Sequence, residues 1–160
     1  MTWSEFAEAE PVLASAGRDL LYQFSVGLGM LSTVRSDGGP RVHPMCPVIS
    51  AAGLNAFIVP SPKRDDLVRD GRYALHCFPP PDNEDAFYLT GRAVVVDDPA
   101  LRSTLSDQFV AERAQFTVPP PGDDDTVTLF ELLVSRALLT RTTGHGDPAP
   151  NHQVWRAPGP

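Results

Sequence analysis

Apolar and polar residues alternate in short runs along most of this chain, and nearly every run ends at glycine, proline or a cluster of Asp, Asn and Ser. A period of two marks strands, and the runs are rich in residues that suit a pleated surface. The pattern predicts strands over residues 28–35, 40–49, 54–59, 72–78, 86–96, 126–142 and 153–156. Asp37-Gly38-Gly39 predicts a tight hairpin, and Ala51-Ala52-Gly53 a second turn. Pro44 and Pro47 cannot donate to a ladder, so the strand that holds them must lie at an edge, bulge or bend. Gly91 marks a bulge where a barrel curves. The run 126–142 is long and apolar on both faces, and one reading breaks it near Ser135-Arg136.

A helical period replaces the alternation in three places. Residues 3–24 read as helix starting near Ser4 and interrupted at Pro11, with Val12, Leu13, Ala16, Leu20 and Phe24 on one face. Ser61-Pro62 opens a short helix that Gly71 closes, and Asp98-Pro99 opens another with a buried stripe of Leu101, Leu105, Phe109 and Val110. Strands and helices in this order suit a mainly β fold, a small antiparallel barrel with flanking helices. At 160 residues one domain is expected, a helical segment over 1–26 followed by a barrel over 28–156.

Composition narrows the function. The net charge is −7 and the pI about 4.9, which argues against a general nucleic-acid or anionic-lipid surface. An anionic ligand must be held by a local basic cluster. Cys46 and Cys77 make no disulfide framework and read as small core residues. No leader and no membrane-length apolar run is visible, so a cytoplasmic location is expected, with no membrane and no nucleic acid as partner. The proline-rich stretches at 78–81, 118–122 and 157–160 read as punctuation, and the acidic runs at 82–85 and 119–125 as solvated loops.

The local chemistry centres on Ser61-Pro62-Lys63. A helix start offers unpaired N–H groups and a partial positive charge. Ser61 adds a hydroxyl, Lys63 a full charge, and Arg41 a second cation if its strand ends nearby. Together these would hold a phosphate; the plainer reading is a helix cap with solvated cations. A serine hydrolase reading lacks a histidine base and a G-x-S-x-G turn. A zinc site lacks ligand spacing, since four histidines and two cysteines lie scattered.

The ordered series Leu-x-Thr-Val-x-x-Asp-Gly-x-Pro-Arg over residues 31–41, then a strand, then Ser-x-Lys-x-x-x-Leu over 61–67, resembles the flavin-binding split-barrel family related to pyridoxamine 5′-phosphate oxidase. The resemblance implies a split β-barrel that pairs as a homodimer, with FMN in the groove between two copies. It implies that Arg41, Ser61 and Lys63 grip the phosphate, and that the strand holding Val42, His43, Pro44 and Met45 lines the ring through its main chain. Trp155 and Arg156, near the C-terminus, would approach the flavin of the partner, Trp155 stacking by the ring or merely sealing the barrel end. The implied function is an FMN-dependent oxidoreductase acting on a small organic substrate. Alternatives are a deazaflavin-dependent reductase, a non-catalytic flavin binder, or a scaffold. Haem, with His145 or His152 as ligand, ranks behind these. Two departures stand out. Trp155-Arg156 is followed directly by Ala157-Pro158-Gly159-Pro160, where the vitamin oxidase carries an arginine-histidine substrate cradle, which argues against pyridoxal phosphate synthesis. Pro62 removes one N–H donor from the phosphate corner.

Overall fold

The computed structural model describes residues 1–116 and 126–159. The acidic loop expected over 119–125 and the proline cluster at 118–122 lie outside these. Helices α1 (Trp3–Ala9) and α2 (Pro11–Leu21) come first, then strands β1 (Gly29–Val34), β2 (Pro40–Met45), β3 (Pro47–Ser50) and β4 (Gly53–Ile58). Helix α3 (Pro62–Arg69), strands β5 (Arg72–Cys77) and β6 (Ala86–Val95), helix α4 (Pro99–Glu112), and strands β7 (Thr128–Arg141) and β8 (Asn151–Arg156) complete the chain.

All eight strands form one antiparallel sheet in the order β2-β1-β5-β6-β7-β4-β3, with β8 also on β7. The ends of this path, β2 and β3, are consecutive in sequence and separated by Cys46 alone. The sheet therefore curls back on itself through one bent strand, a split barrel with flanking helices. The expected strand over 40–49 exists as two pieces that part at Cys46, where Pro47 lacks the N–H that a continuous ladder needs; Pro44 stays within β2 because its missing N–H falls on the open edge. β7 pairs β6 along its length, while its first part pairs β4 and its last part pairs β8.

No break occurs at Ser135-Arg136. Thr90 faces Arg136 and Gly91 faces Val134, so Ser135 is the extra residue of a bulge. A Cβ on Gly91 would lie 1.7 Å from the Leu133 carbonyl oxygen, which is why this position is glycine.

Alternate residues of the strands fill the barrel: Leu31, Leu75, Phe87, Leu89, Phe130 and Leu132 are all buried. Helices α1 and α2 cover this core with Phe6, Leu13 and Leu21. Thr2, not Ser4, caps α1, through a reciprocal box with Glu5. Val12 and Phe24, expected on the buried face, are exposed; α2 ends before Phe24, and Val12 turns to solvent. Asp98 caps α4 as expected, accepting from Ala100 and Leu101. Leu105 is the buried centre of that helix against Val48 and Leu129, and Val110 is exposed. The expected solvated carboxylate Asp85 is instead buried, where it binds Arg141 and Thr142. Both cysteines are free.

Candidate functional site

The two sequence motifs meet at α3. Thr33 and Arg41, from the first motif, both donate to Asp66 of the second, at 2.8 and 2.7 Å. Arg69 adds a bond to Asp66 and another to the Val34 carbonyl. Burial alone would raise the Asp66 pKa, but hydrogen bonds from Arg41, Thr33 and Arg69 outweigh it and hold the carboxyl below its ordinary range. Asp66 is thus a buried anion that fastens α3 to β1 and β2. The sequence reading missed it. Its signal was available, a carboxylate directly before the apolar residue that anchors a short basic helix.

This changes the expected role of Arg41. Its Nε is committed to Asp66, so its charge is largely compensated. Ser61 also departs from expectation. It occupies the cap position of α3, yet its side chain accepts no bond from the first turn and instead donates to the Val59 carbonyl at 2.8 Å. The amides of Lys63 and Arg64 therefore receive no acceptor from the cap. Arg64 pairs with Asp65. Lys63 faces no carboxylate among the described residues; its ammonium donates to the Pro44 carbonyl at 3.3 Å.

That contact places the helix start beside β2, whose outer edge is open. The alternation of an antiparallel ladder turns every second residue away from its partner. Pro44 points its carbonyl to Lys63, and the N–H and carbonyl of Val42 share that direction. The contrast with β3 is informative. The Ile49 carbonyl accepts from Arg18 and Gln108, and the Ile49 amide donates to the Tyr22 hydroxyl. Tyr22 is largely buried there, which pushes its pKa up to about 12. One half of the bent strand is covered by helices, and the other is left available. Val42, His43 and Pro44 are exposed, while Met45 points into the core.

The C-terminal residues do not join this corner within the chain. Trp155 sits opposite Ala137 on β7 and lies against Phe6 of α1, ring centres 4.8 Å apart, packed onto the main core. Arg156, next to it, is exposed on the opposite face of β8. His145 bonds the Pro81 carbonyl and His152 the Thr140 hydroxyl. No helix among the described residues is long and apolar enough to cross a membrane.

No protein-family model matches the chain. No curated protein matches it. Solved structures do. General Stress Protein 26 from Bacillus anthracis aligns over 88% of this chain and 98% of its own, at 18% identity and a TM-score of 0.60. A protein from Clostridium acetobutylicum related to general stress protein 26, of the pyridoxinephosphate oxidase family, aligns over 88% and 95%, at 14% identity and a TM-score of 0.60. A haem binding protein from Mycobacterium smegmatis aligns over 89% of this chain at 15% identity and a TM-score of 0.64, but this chain spans only 57% of its length. The fold is thus the split barrel found in proteins of the pyridoxamine 5′-phosphate oxidase type.

Proposed function

We propose that this chain is an FMN-binding oxidoreductase acting on a small organic substrate, with the cofactor at a groove between two copies. The observation that carries the reading is the corner where Lys63, a cation with no carboxylate partner among the described residues, meets the open edge of β2 at Pro44. An anionic phosphate fits the chemistry of this donor set: the Lys63 ammonium and the uncapped amides of α3, joined by the Ser61 hydroxyl if it turns from the Val59 carbonyl to donate to the phosphate. Arg41 supports from behind, through Asp66, and holds α3 in place. The free N–H and carbonyl of Val42 suit the polar rim of a flat heterocycle, and exposed His43 and Pro44 form its wall.

A bound flavin supplies two-electron hydride chemistry. The chain's own residues bind, orient and shield. Pro62 contributes no donor, so Lys63 bears more of the phosphate than it would in a corner with a polar residue there. Trp155, held by Phe6, fixes β8 so that the exposed Arg156 can be presented to a second copy.

The test is an absorption spectrum of the purified protein and a fluorescence titration with FMN, followed by Lys63→Ala. Yellow protein whose FMN affinity falls about tenfold or more in the variant supports the reading, since a charged hydrogen bond is worth about 1.5–3 kcal/mol. Colourless protein that quenches no FMN fluorescence overturns it, and tight binding of a deazaflavin in its place would transfer the site to that coenzyme. Bound FMN that neither NADH nor NADPH reduces would leave a flavin carrier.

A further inference from the structure

The outer face of the sheet carries a second basic feature, unrelated to the α3 corner. The register of β7 with β8 sets Arg136 directly opposite Arg156. Directly opposed antiparallel residues have Cα atoms about 4.5–5.5 Å apart and point to the same face, and like charges so placed repel. Neither guanidinium has a hydrogen-bond or ion-pair partner among the described residues, and the Nε of Arg136 is buried with no acceptor. Their neighbours in register supply no carboxylate: Thr90 stands beside Arg136 on β6, with Leu138 and Val154 one step along. Every other lysine and arginine of the chain has a partner.

The row continues across the sheet. Arg156, Arg136, Thr90, Ala74 and Ser32 occupy one register line on β8, β7, β6, β5 and β1. Their side chains share the outer face, and strands about 4.8 Å apart make the line about 19 Å long. At its far end the same face holds a shallow groove of about 310 Å³, lined by Ser32, Ala74, Tyr88 and Thr90 among others. Small Ala74 between two hydroxyls leaves the floor of the groove low.

We propose that Arg136 and Arg156 form an oxyanion site, which holds the phosphate or carboxylate of a small molecule whose body lies along the Thr90–Ser32 line. Two guanidiniums side by side match the two oxygens of such a group. An unmet buried Nε and an uncompensated like-charge pair are costs that a bound oxyanion removes. The site shares Arg156 with the flavin reading, which presents that residue to a second copy; Arg136, which the flavin reading does not use, is the residue whose variant separates the two.

The probes are inorganic phosphate and succinate, each titrated at constant ionic strength while thermal unfolding of the full chain is followed. A saturable upward shift in Tm is expected for one of them, and which one names the oxyanion. Arg136→Gln and Arg156→Gln should each weaken it about tenfold or more, and should do so equally in a Lys63→Ala background, which removes any phosphate response of the α3 corner. Arg156 is exposed, so its variant tests the site without a folding penalty. The proposal is overturned if neither probe gives a saturable shift, or if both arginine variants respond like the parent. It is equally overturned if the variants only turn a dimer into a monomer, in which case the pair meets a second copy and not a small molecule.

Discussion

Two pairs of arginines face each other across neighbouring strands of one sheet, and only one pair has a carboxylate beside it. Arg72 on β5 stands opposite Arg92 on β6, and Asp70 sits between them. Its carboxylate binds Arg72 through two oxygens, and its main-chain carbonyl accepts from Arg92. The Arg72 hydrogen bond is the foremost reason that the Asp70 carboxyl lies far below its ordinary range. Arg136 and Arg156 have no such anion. The same division runs through the α3 corner, where Asp66 compensates Arg41 and Arg69 and leaves Lys63 unmatched. In an acidic protein, cations that lack carboxylates are the places where an external anion can substitute for one.

Breaking a compensated cluster should have the largest effect. Asp66→Asn leaves Arg41, Arg69 and Thr33 without their shared acceptor, and urea denaturation at pH 7 should show a loss of about 2–3 kcal/mol. Acid should do the same to the parent. A carboxylate whose folded pKa lies below its unfolded value adds stability that is complete above the unfolded value, near pH 3.9, and fades as pH falls through the folded one. The acid limb of the stability curve below about pH 4 should therefore flatten in Asp66→Asn, most visibly in thermal melts across that range.

Smaller changes sharpen the comparison of the two pairs. Asp70→Asn should leave the Arg72–Arg92 pair without its carboxylate, and the melting temperature should fall, more at low salt than at high. Arg156→Gln should do the opposite. Relief of the repulsion with Arg136 should raise stability by about 0.5 kcal/mol at low ionic strength, and the gain should vanish as salt is added. If Arg156→Gln destabilises the protein at every salt concentration, the pair is held by something other than an external anion.

Much of this was legible from residue order alone. Alternation located the strands, Asp98-Pro99 marked a helix start, and Gly91 announced its bulge, because each of these is set by chemistry within a few residues. The Pro44 and Pro47 bend was readable for the same reason, as a missing donor is a property of the residue itself. The α3 corner was half legible. Lys63 and Ser61 could be placed at a helix start, but the partners of Arg41 could not, since Asp66 lies 25 residues away along the chain.

What the chain determines by itself is therefore local: where backbone donors are missing, where a period of two gives way to a helical one, and which cations exist. Which cations are neutralised was decided by the fold. Strand register sets Arg136 against Arg156 and Arg72 against Arg92, and register depends on how an entire sheet curls around its core. Electrostatic compensation acts through space over a few ångströms, so residues twenty or more positions apart share one carboxylate or go without, and no reading along the chain can tell the two cases apart.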